Sequence, residues 1–387
     1  MFIDQIVCNS QHQVLTVAAR IIWDTDDREP FDLFAQTIDD FSDAFWGDPN
    51  ALLLACLLPA WRAGERVVKV AAPLCPLLCH NVQAALAALR FWYPQLGPPP
   101  QIESTMGFEV LQPTVGSSMS LLSCGIDSLA TVRWNMLNVP KSHPHAIRGM
   151  LSVSHDQVPA RNRNELTGRL KGRSSAAISV ATDAGASWIP LSTNMWWLVN
   201  NGYFFDEKWH GALFSSAAYC FSRGYQRTYI ASSHYRDYFD PWGSHPLLDP
   251  SYSSGHFEVR LEGVGTTRLQ KTALVAAWPV GLNAIRVCQV DNKGRKNCGR
   301  CEKCIQTTTA LTSLGKLSEC ESFPIQRVES DLIDLLSEYN MIEDDECAEM
   351  YEVLLPGLES HGRQDLVAAL GRVLEHYRRT RTVRVNL

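Results

Sequence analysis

Residues 117–138 read SSMSLLSCGIDSLATVRWNMLN, and this stretch decides the fold. The apolar run at 119–123 predicts a short buried strand, and a tight turn follows at 123–128. The residues after the turn predict a helix that continues to about Asn138. A strand that passes through a tight turn directly into a helix is typical of α/β proteins with a parallel sheet.

The same alternation continues along the chain. Further strands are predicted at 146–153, 187–191, 227–231, 257–261 and 284–288, and helices at 164–184, 209–224 and 267–278. This order predicts a doubly wound, mostly parallel sheet with helices on both faces. In such sheets, ligands bind beyond the carboxyl ends of the strands.

The turn at 123–128 has the chemistry of a phosphate site. Backbone N–H groups at the start of a helix point towards one position and attract an anion. Ser123 and Ser128 add hydroxyl donors, Gly125 permits close approach of a phosphate, and Asp127 could hold Mg²⁺. A turn that joins the strand to the helix without any ligand is the alternative.

Four cysteines predict a metal site. Cys288, Cys298, Cys301 and Cys304 have the spacing C-x9-C-x2-C-x2-C. Zn²⁺ prefers four soft ligands in a tetrahedron, and four sulfurs leave no open coordination position. We therefore expect a structural zinc ion, with buried thiols or an iron–sulfur cluster as alternatives.

The loop and the cysteines together resemble a known superfamily. Residues 123–128, SCGIDS, are similar to the S-G-G-x-D-S loop of the PP-loop ATP pyrophosphatases, with Cys124 where that loop usually has its first glycine. A PP-loop followed by this cysteine spacing resembles the 7-cyano-7-deazaguanine synthase family, over about residues 117–310. That family activates the carboxylate of 7-carboxy-7-deazaguanine with ATP and then adds ammonia to form a nitrile.

The resemblance implies a fold, cofactors and site residues. It implies the adenine nucleotide alpha hydrolase-like fold, with ATP, Mg²⁺ and Zn²⁺ as cofactors, and an ATP-dependent carbon–nitrogen ligase that forms AMP and pyrophosphate or ADP. It also implies that Asp127 and Lys271 are catalytic, although a solvated helix face explains Lys271 equally well. The ATP-binding residues would be Ser123, Cys124, Gly125, Ile126, Asp127, Ser128 and Ser152.

Residues 232–249 follow a predicted strand and are rich in aromatic and polar side chains. This position predicts a substrate-binding loop, in which His234, Tyr235, His245 and Asp249 would hold the acceptor or the carboxylate. The alternative is an ordered loop whose polar groups satisfy its own backbone.

The flanking regions lack recognisable chemistry. Residues 1–112 are predicted to form an α+β accessory domain, with a strand at 67–71 and helices at 30–45 and 81–93, and residues 311–387 a helical region. With 35 basic and 41 acidic side chains, the net charge of −6 argues against a nucleic-acid partner. The apolar stretch 51–61 is too short to span a membrane, and the N-terminal residues lack a secretory pattern, so we expect a cytoplasmic protein.

Several functions remain open from the sequence. The partner would be a small carboxylate together with ammonia, or with a protein or peptide amine, and the chain could form a homodimer. A related hypothesis is an anti-phage defence ligase that conjugates a deazaguanine to a protein amine. The others are a PP-loop tRNA-modifying enzyme and a non-catalytic scaffold stabilised by zinc.

Overall fold

The computed structural model describes residues 1–25, 28–113, 116–170, 174–233, 240–288 and 297–385. These residues divide into two compact units. Of the described residues, unit 1 contains 1–123, 135–233 and 240–264. Unit 2 contains 124–134 and the described residues from 265 onwards.

Among the described residues, unit 1 contains ten strands that form one sheet. They are β1 (Phe2–Gln11), β2 (Val14–Ile22), β3 (Phe31–Ile38), β4 (Val67–Val70), β5 (Gln101–Ser104), β6 (Ser117–Leu121), β7 (Ile147–His155), β8 (Ser187–Thr193), β9 (Tyr225–Ala231) and β10 (Glu258–Glu262). Their order across the sheet is β10-β9-β6-β7-β8-β3-β2-β1-β4-β5.

The sheet is mostly parallel. Strands β10, β9, β6, β7 and β8 pair in parallel, and so do β1, β4 and β5. Between these blocks, β8-β3-β2-β1 are antiparallel. The predicted α/β class with a mostly parallel sheet is therefore confirmed.

The helices follow the strands along the chain. They are α1 (Pro49–Arg62), α2 (Pro76–Trp92), α3 (Ile126–Asn138), α4 (Arg163–Arg169), α5 (Ser174–Ala184), α6 (Gly202–Phe204), α7 (His210–Tyr219), α8 (Arg268–Ala276), α9 (Pro279–Ala284), α10 (Glu302–Ser313), α11 (Ser330–Glu338), α12 (Asp345–Glu352), α13 (Leu355–Ser360) and α14 (Gln364–Val385).

The apolar stretch at 51–61 forms most of α1. The carboxylate of Asp48 caps the helix by accepting the Asn50 N–H, and Pro49 occupies the first turn. Every residue from Asn50 to Trp61 is buried in the core of unit 1. None of the described helices combines the length and apolar composition that a membrane span requires.

Three secondary-structure predictions are wrong. The helix predicted at 30–45 is strand β3, which pairs with β2 and β8 and is buried from Leu33 to Thr37 on both faces. A fully buried strand loses its alternating pattern, so its periodicity resembles that of a buried helix. The helix predicted at 164–184 is two helices, α4 and α5. The strand predicted at 284–288 does not form, because Ala284 ends α9 and residues 285–288 are irregular.

The two units do not follow the predicted domain boundaries. Strands from residues 1–112 and from residues 117–262 join the same sheet through the β3–β8 pair, in which Ala35 pairs with Thr193. The helices after residue 264 belong to unit 2. The N-terminal region is therefore built into the main sheet.

Close packing around β7 leads to a stability prediction. A Cβ atom at Gly149 would lie 2.6 Å from the Tyr225 ring, whereas a Cβ at Gly371 in α14 would meet nothing within 4 Å. We expect Gly149→Ala to lower the free energy of unfolding by about 1–3 kcal/mol through overpacking. Gly371→Ala should raise it by about 1 kcal/mol, because alanine is the better helix former.

Denaturant-induced unfolding followed by circular dichroism measures both changes. Equal stability of the Gly149→Ala variant and the wild type would contradict the packing described for β7.

Candidate functional site

The predicted phosphate loop connects β6 to α3. Cys124 in this loop has a left-handed backbone conformation, with φ of 63°. This conformation costs a residue with a Cβ atom about 1–2 kcal/mol, and glycine adopts it freely. Cys124 is buried, and its carbonyl oxygen accepts the Arg286 N–H at 2.7 Å. The loop thus keeps, at Cys124, a backbone conformation that favours glycine.

The loop residues from Ile126 to Ser128 form the first turn of α3. The Ser128 hydroxyl donates to the Gly125 carbonyl oxygen at 3.1 Å, and the Leu129 N–H donates to the same oxygen at 3.0 Å. Ile126 is buried, and Asp127 occupies the first turn of the helix. A carboxylate at this position is stabilised by the positive end of the helix dipole.

Asp127 binds two cations in unit 2. Its Oδ2 accepts a hydrogen bond from Arg268 at 2.5 Å, and its Oδ1 accepts one from Lys271 at 3.2 Å. Burial raises the pKa of the Asp127 carboxyl, but the two cations outweigh it and hold the pKa below its usual value. The structure therefore brings together Asp127 and Lys271, the two residues predicted to be catalytic.

Lys271 is nearly inaccessible to solvent, with 4% of its side chain exposed. Burial lowers the pKa of its ammonium group, and the neighbouring Asp127 and Glu346 oppose this effect. The alternative of a solvated helix face is wrong for this lysine.

A second acid, Glu302, lies near Arg268 and was not predicted. It is the first residue of α10, and its carboxylate accepts a hydrogen bond from the Tyr351 hydroxyl at 3.1 Å. Burial raises the pKa of Glu302, and the Tyr351 hydrogen bond and the charge of Arg268 partly offset this. Glu302 could have been singled out from the sequence because it directly follows Cys301, and a metal ligand fixes the position of the residue next to it.

The four predicted cysteine ligands come together. The sulfur atoms of Cys288, Cys298, Cys301 and Cys304 all lie within 4.8 Å of one another. Cys298 and Cys304 are 3.7 Å apart, and Cys288 and Cys301 are 4.0 Å apart. Four sulfurs around Zn²⁺ would be about 3.8 Å apart, given the usual Zn–S distance. The group can therefore hold a metal ion, and its geometry is consistent with zinc.

Backbone geometry supports a metal-binding turn. The Cys298 sulfur accepts the N–H groups of Arg300 at 3.4 Å and Cys301 at 3.2 Å. Gly299, which lies between Cys298 and Arg300, has a φ of 80°, which the sharp turn requires. The Cys301 pKa falls to about 5, mainly because the Cys304 thiol donates a hydrogen bond to it.

Asn297 holds the two cysteine-bearing segments together and was also not predicted. Its buried side-chain oxygen accepts the N–H groups of Val287 and Cys288 at 2.9 and 3.2 Å. Its amide donates to the carbonyl oxygens of Ile285 and Ser322 at 3.0 and 2.9 Å. Because Asn297 satisfies this backbone, residues 285–288 do not form the predicted strand.

The remaining predicted residues lie in unit 1 or outside the described residues. The Ser152 hydroxyl, in β7, donates to the Leu122 carbonyl oxygen and accepts the Trp188 indole N–H. Ser123 is the last residue of the first segment of unit 1 and is exposed. His234 and Tyr235 lie outside the described residues.

His245 and Asp249 lie together in the interior of unit 1. The Asp249 carboxylate accepts the Ser244 hydroxyl at 2.7 Å, and its pKa rises to about 7 because the group is buried. His245 packs edge-on against Trp92, with ring centres 4.8 Å apart. Their exposed fractions are 1% and 0%, so both residues contribute to a closed turn in this structure.

Comparison of the chain with protein-family models, with curated proteins and with solved structures finds no match. The case for a function therefore depends on the residues and their geometry.

The metal site gives a prediction about Asn297. We expect Asn297→Ala to weaken zinc binding by about 10- to 100-fold, because the side chain that orients the ligand segments is lost. Competition with a chromophoric chelator measures the affinity. Asn135→Ala is the matched control, since the buried Asn135 side chain bridges backbone in the same way in unit 1, where it accepts the Ile147 N–H and donates to the His145 carbonyl oxygen. An unchanged affinity for Asn297→Ala would contradict this role.

The loop gives a prediction about Cys124. Cys124→Gly and Cys124→Ala both remove the sulfur, but only alanine keeps a Cβ atom at a positive φ. We expect the glycine variant to be more stable than the alanine variant by about 1 kcal/mol. Urea denaturation of the two variants measures the difference, and an alanine variant of equal or higher stability would mean that position 124 is not left-handed in solution.

Proposed function

We propose that the chain is an ATP-dependent ligase of the PP-loop type, related to the 7-cyano-7-deazaguanine synthase family. It would adenylate a small carboxylate, release pyrophosphate and transfer the acyl group to ammonia or an amine. The observation that carries the proposal is the placement of Arg268 and Lys271 on the carboxylate of Asp127, in the first turn of the helix that follows the loop.

The loop supports a phosphate-binding role. It joins a parallel strand to a helix, the arrangement in which backbone N–H groups bind phosphates. Its SCGIDS sequence and the left-handed conformation at Cys124 are what we expect where a glycine-rich loop has accepted one substitution. Ser123, Gly125 and Ser128 are the proposed contacts to the polyphosphate.

Arg268 and Lys271 supply the positive charge that the reaction needs. Pyrophosphate departs with several negative charges, and prearranged cations stabilise that charge best where water is excluded. The Asp127 carboxylate bonds to both cations and orients them before ATP binds. Mg²⁺, where present, would further neutralise the polyphosphate charge, and the Asp127 carboxylate is the proposed ligand.

The proposed chemistry has two steps. A carboxylate oxygen of the acid attacks the α-phosphorus, and the bond from this phosphorus to the α,β-bridging oxygen breaks. The products are an acyl adenylate and pyrophosphate. Ammonia or an amine then attacks the acyl carbon, AMP leaves with the bonding electron pair, and the nitrogen loses a proton. The protein contributes mainly by positioning the reactants.

The four-cysteine group would have a structural role in this enzyme. Four thiolates fill a zinc coordination sphere and leave no position for a substrate. Cys301 immediately precedes Glu302, so a bound zinc ion would fix the start of α10 close to Arg268.

Pyrophosphate release tests the proposed activity. We expect release from ATP that depends on an added acid, with 7-carboxy-7-deazaguanine as the first candidate. Lys271→Met should lower kcat/KM for ATP by about 100-fold, because a buried cation at the phosphates is lost. The variant should remain folded, since Asp127 keeps its bond to Arg268.

Lys316→Met is the matched control, because Lys316 forms only an exposed ion pair with Glu319 in the contacts described. Full activity of Lys271→Met would disprove its role. The absence of both pyrophosphate release and an ATP-induced rise in Tm would instead favour a zinc-stabilised scaffold. Salt-sensitive tRNA binding together with ATP cleavage would favour the tRNA-modifying alternative.

A further inference from the structure

A second group of reactive side chains lies in unit 1, far along the sequence from the loop. It comprises Cys75, His256 and Asp48, which are 2%, 4% and 0% exposed. Cys75 immediately precedes α2, and Asp48 immediately precedes α1. His256 lies just before β10. No local sequence motif joins these three residues, and the fold brings them together.

The surroundings of Cys75 favour a thiolate. The Gly255 N–H donates to its sulfur at 3.4 Å, and the N–H groups of Leu77 and Leu78, in the first turn of α2, also point to it. Burial raises the pKa of Cys75, but the hydrogen bond from His256 and these N–H groups outweigh it and bring the pKa to about 7. The positive end of a 17-residue helix acts in the same direction.

His256 is oriented by a fixed carboxylate. One ring nitrogen, Nε2, is 2.9 Å from Oδ2 of Asp48, and the same oxygen accepts the Ser222 hydroxyl at 2.8 Å. The other oxygen, Oδ1, accepts the backbone and side-chain N–H groups of Asn50 at 2.9 and 2.8 Å. Burial lowers the pKa of His256, yet Asp48 and Cys75 raise it to about 9.

The thiol, the imidazole and the carboxylate are arranged like the nucleophile, the base and the orienting acid of a catalytic triad. Cys75 and His256 share a side-chain hydrogen bond, and the imidazole is held by the buried Asp48 carboxylate at Nε2 and by the Ser254 hydroxyl, 3.1 Å from Nδ1. This is the general design in which a base is oriented by a third group.

Cys75 and His256 line a cavity of about 380 Å³ in unit 1. This volume suits a small molecule. The same walls carry one cation, Arg223, and one anion, Glu109, and the Arg223 guanidinium stacks over Trp46 at 4.4 Å. A ligand that carries both a carboxylate and an ammonium group would complement both charges.

We propose that Cys75, His256 and Asp48 form a second active site, which hydrolyses the side-chain amide of a small zwitterionic amino-acid amide. Cys75 is the nucleophile, His256 is the acid and base, and Asp48 is a positioning residue. Arg223 binds the carboxylate of the substrate and Glu109 binds its ammonium group. The inference does not depend on the proposed ligase activity, although ammonia is one of the nucleophiles that the ligase could use.

The reaction proceeds through a thioester. The Cys75 thiolate attacks the amide carbon, and the carbon–nitrogen bond breaks as the His256 imidazolium donates its proton, so that ammonia leaves. Water then attacks the thioester while His256 accepts a proton from it. The carbon–sulfur bond breaks, the Cys75 thiolate is regenerated, and the carboxylic acid product gives its proton to the released ammonia.

The first test measures the reactivity of Cys75 in the full chain under reducing conditions. Alkylation by iodoacetamide, mapped by peptide mass spectrometry, should be at least tenfold faster at Cys75 than at Cys79 at pH 7. Cys79 is the matched thiol because it lies one turn further along α2, where burial raises its pKa to about 11. The rate at Cys75 should rise with a midpoint near pH 7, and His256→Asn should move this midpoint upwards.

The midpoint depends on the charged and titratable groups that surround this pair. These groups are Asp48, Cys79, Tyr219, Glu109 and Arg223. Asp48 and Cys79 act directly on His256 or Cys75. The Tyr219 ring stands edge-on to His256, with ring centres 5.9 Å apart.

The second test measures ammonia release from L-glutamine and L-asparagine. We expect release by the wild type and by Cys79→Ser, and at least a 100-fold loss in Cys75→Ser. Arg223→Gln should raise KM more than it lowers kcat. If Cys75→Ser does not fold, titration of the wild type with iodoacetamide replaces it, and activity should fall in proportion to the alkylated fraction of Cys75.

Three results would overturn the proposal. They are alkylation of Cys75 no faster than that of Cys79, ammonia release that survives loss of Cys75, and no ammonia release from either amide. A Cys75–Cys79 disulfide formed without any amide hydrolysis would assign the pair to redox chemistry instead. ATP-dependent pyrophosphate release is measured separately, so failure of one proposal leaves the other intact.

Discussion

The ion pairs of Asp127 are the interaction on which unit 2 depends. An ammonium group as buried as that of Lys271 would be costly without a partner, so loss of the Asp127 carboxylate would cost about 3–5 kcal/mol. Arg268 and Lys271 are three residues apart on α8 and therefore lie on the same face of the helix. One carboxylate in the first turn of α3 thus fixes that face, and α8 in turn packs against α9 and α10. Glu302 at the start of α10 compensates part of the charge of Arg268.

Whether a feature of the candidate site could be predicted depends on whether its residues are close together in the sequence. The loop, the helix after it and the cysteine spacing are local in sequence, so they could be predicted from the residues themselves. The charged groups around Arg268 lie on α3, α8 and α10. Of these groups, only Asp127 belongs to a recognisable sequence motif. Glu302 and Asn297 have no pattern of their own, because their roles arise from where the cysteine-bearing turn places them.

The fold shows the same division between local and distant information. Strands β6 to β9 were predicted at close to their observed positions, because each is a short apolar run between turn residues. Strand β3 was predicted as a helix, since its buried residues do not alternate between apolar and polar. Its partner β2 was not predicted as a strand, and its other partner, β8, is distant in sequence. Residues 285–288 have strand composition, but their N–H groups bond to Asn297 and to the carbonyl oxygen of Cys124. These hydrogen bonds to a side chain and to a loop carbonyl take the place of the backbone hydrogen bonds that a neighbouring strand would provide.

Cys124 connects the loop's conformation to its proposed role. A left-handed backbone at a residue with a Cβ atom is unfavourable, and such residues persist only where the surrounding structure determines them. Here the Cys124 carbonyl oxygen accepts the Arg286 N–H, only two residues before the first cysteine of the metal group. A bound metal would therefore hold the segment that in turn holds the loop. Through this backbone contact, the proposed zinc ion would stabilise the conformation of the proposed phosphate loop.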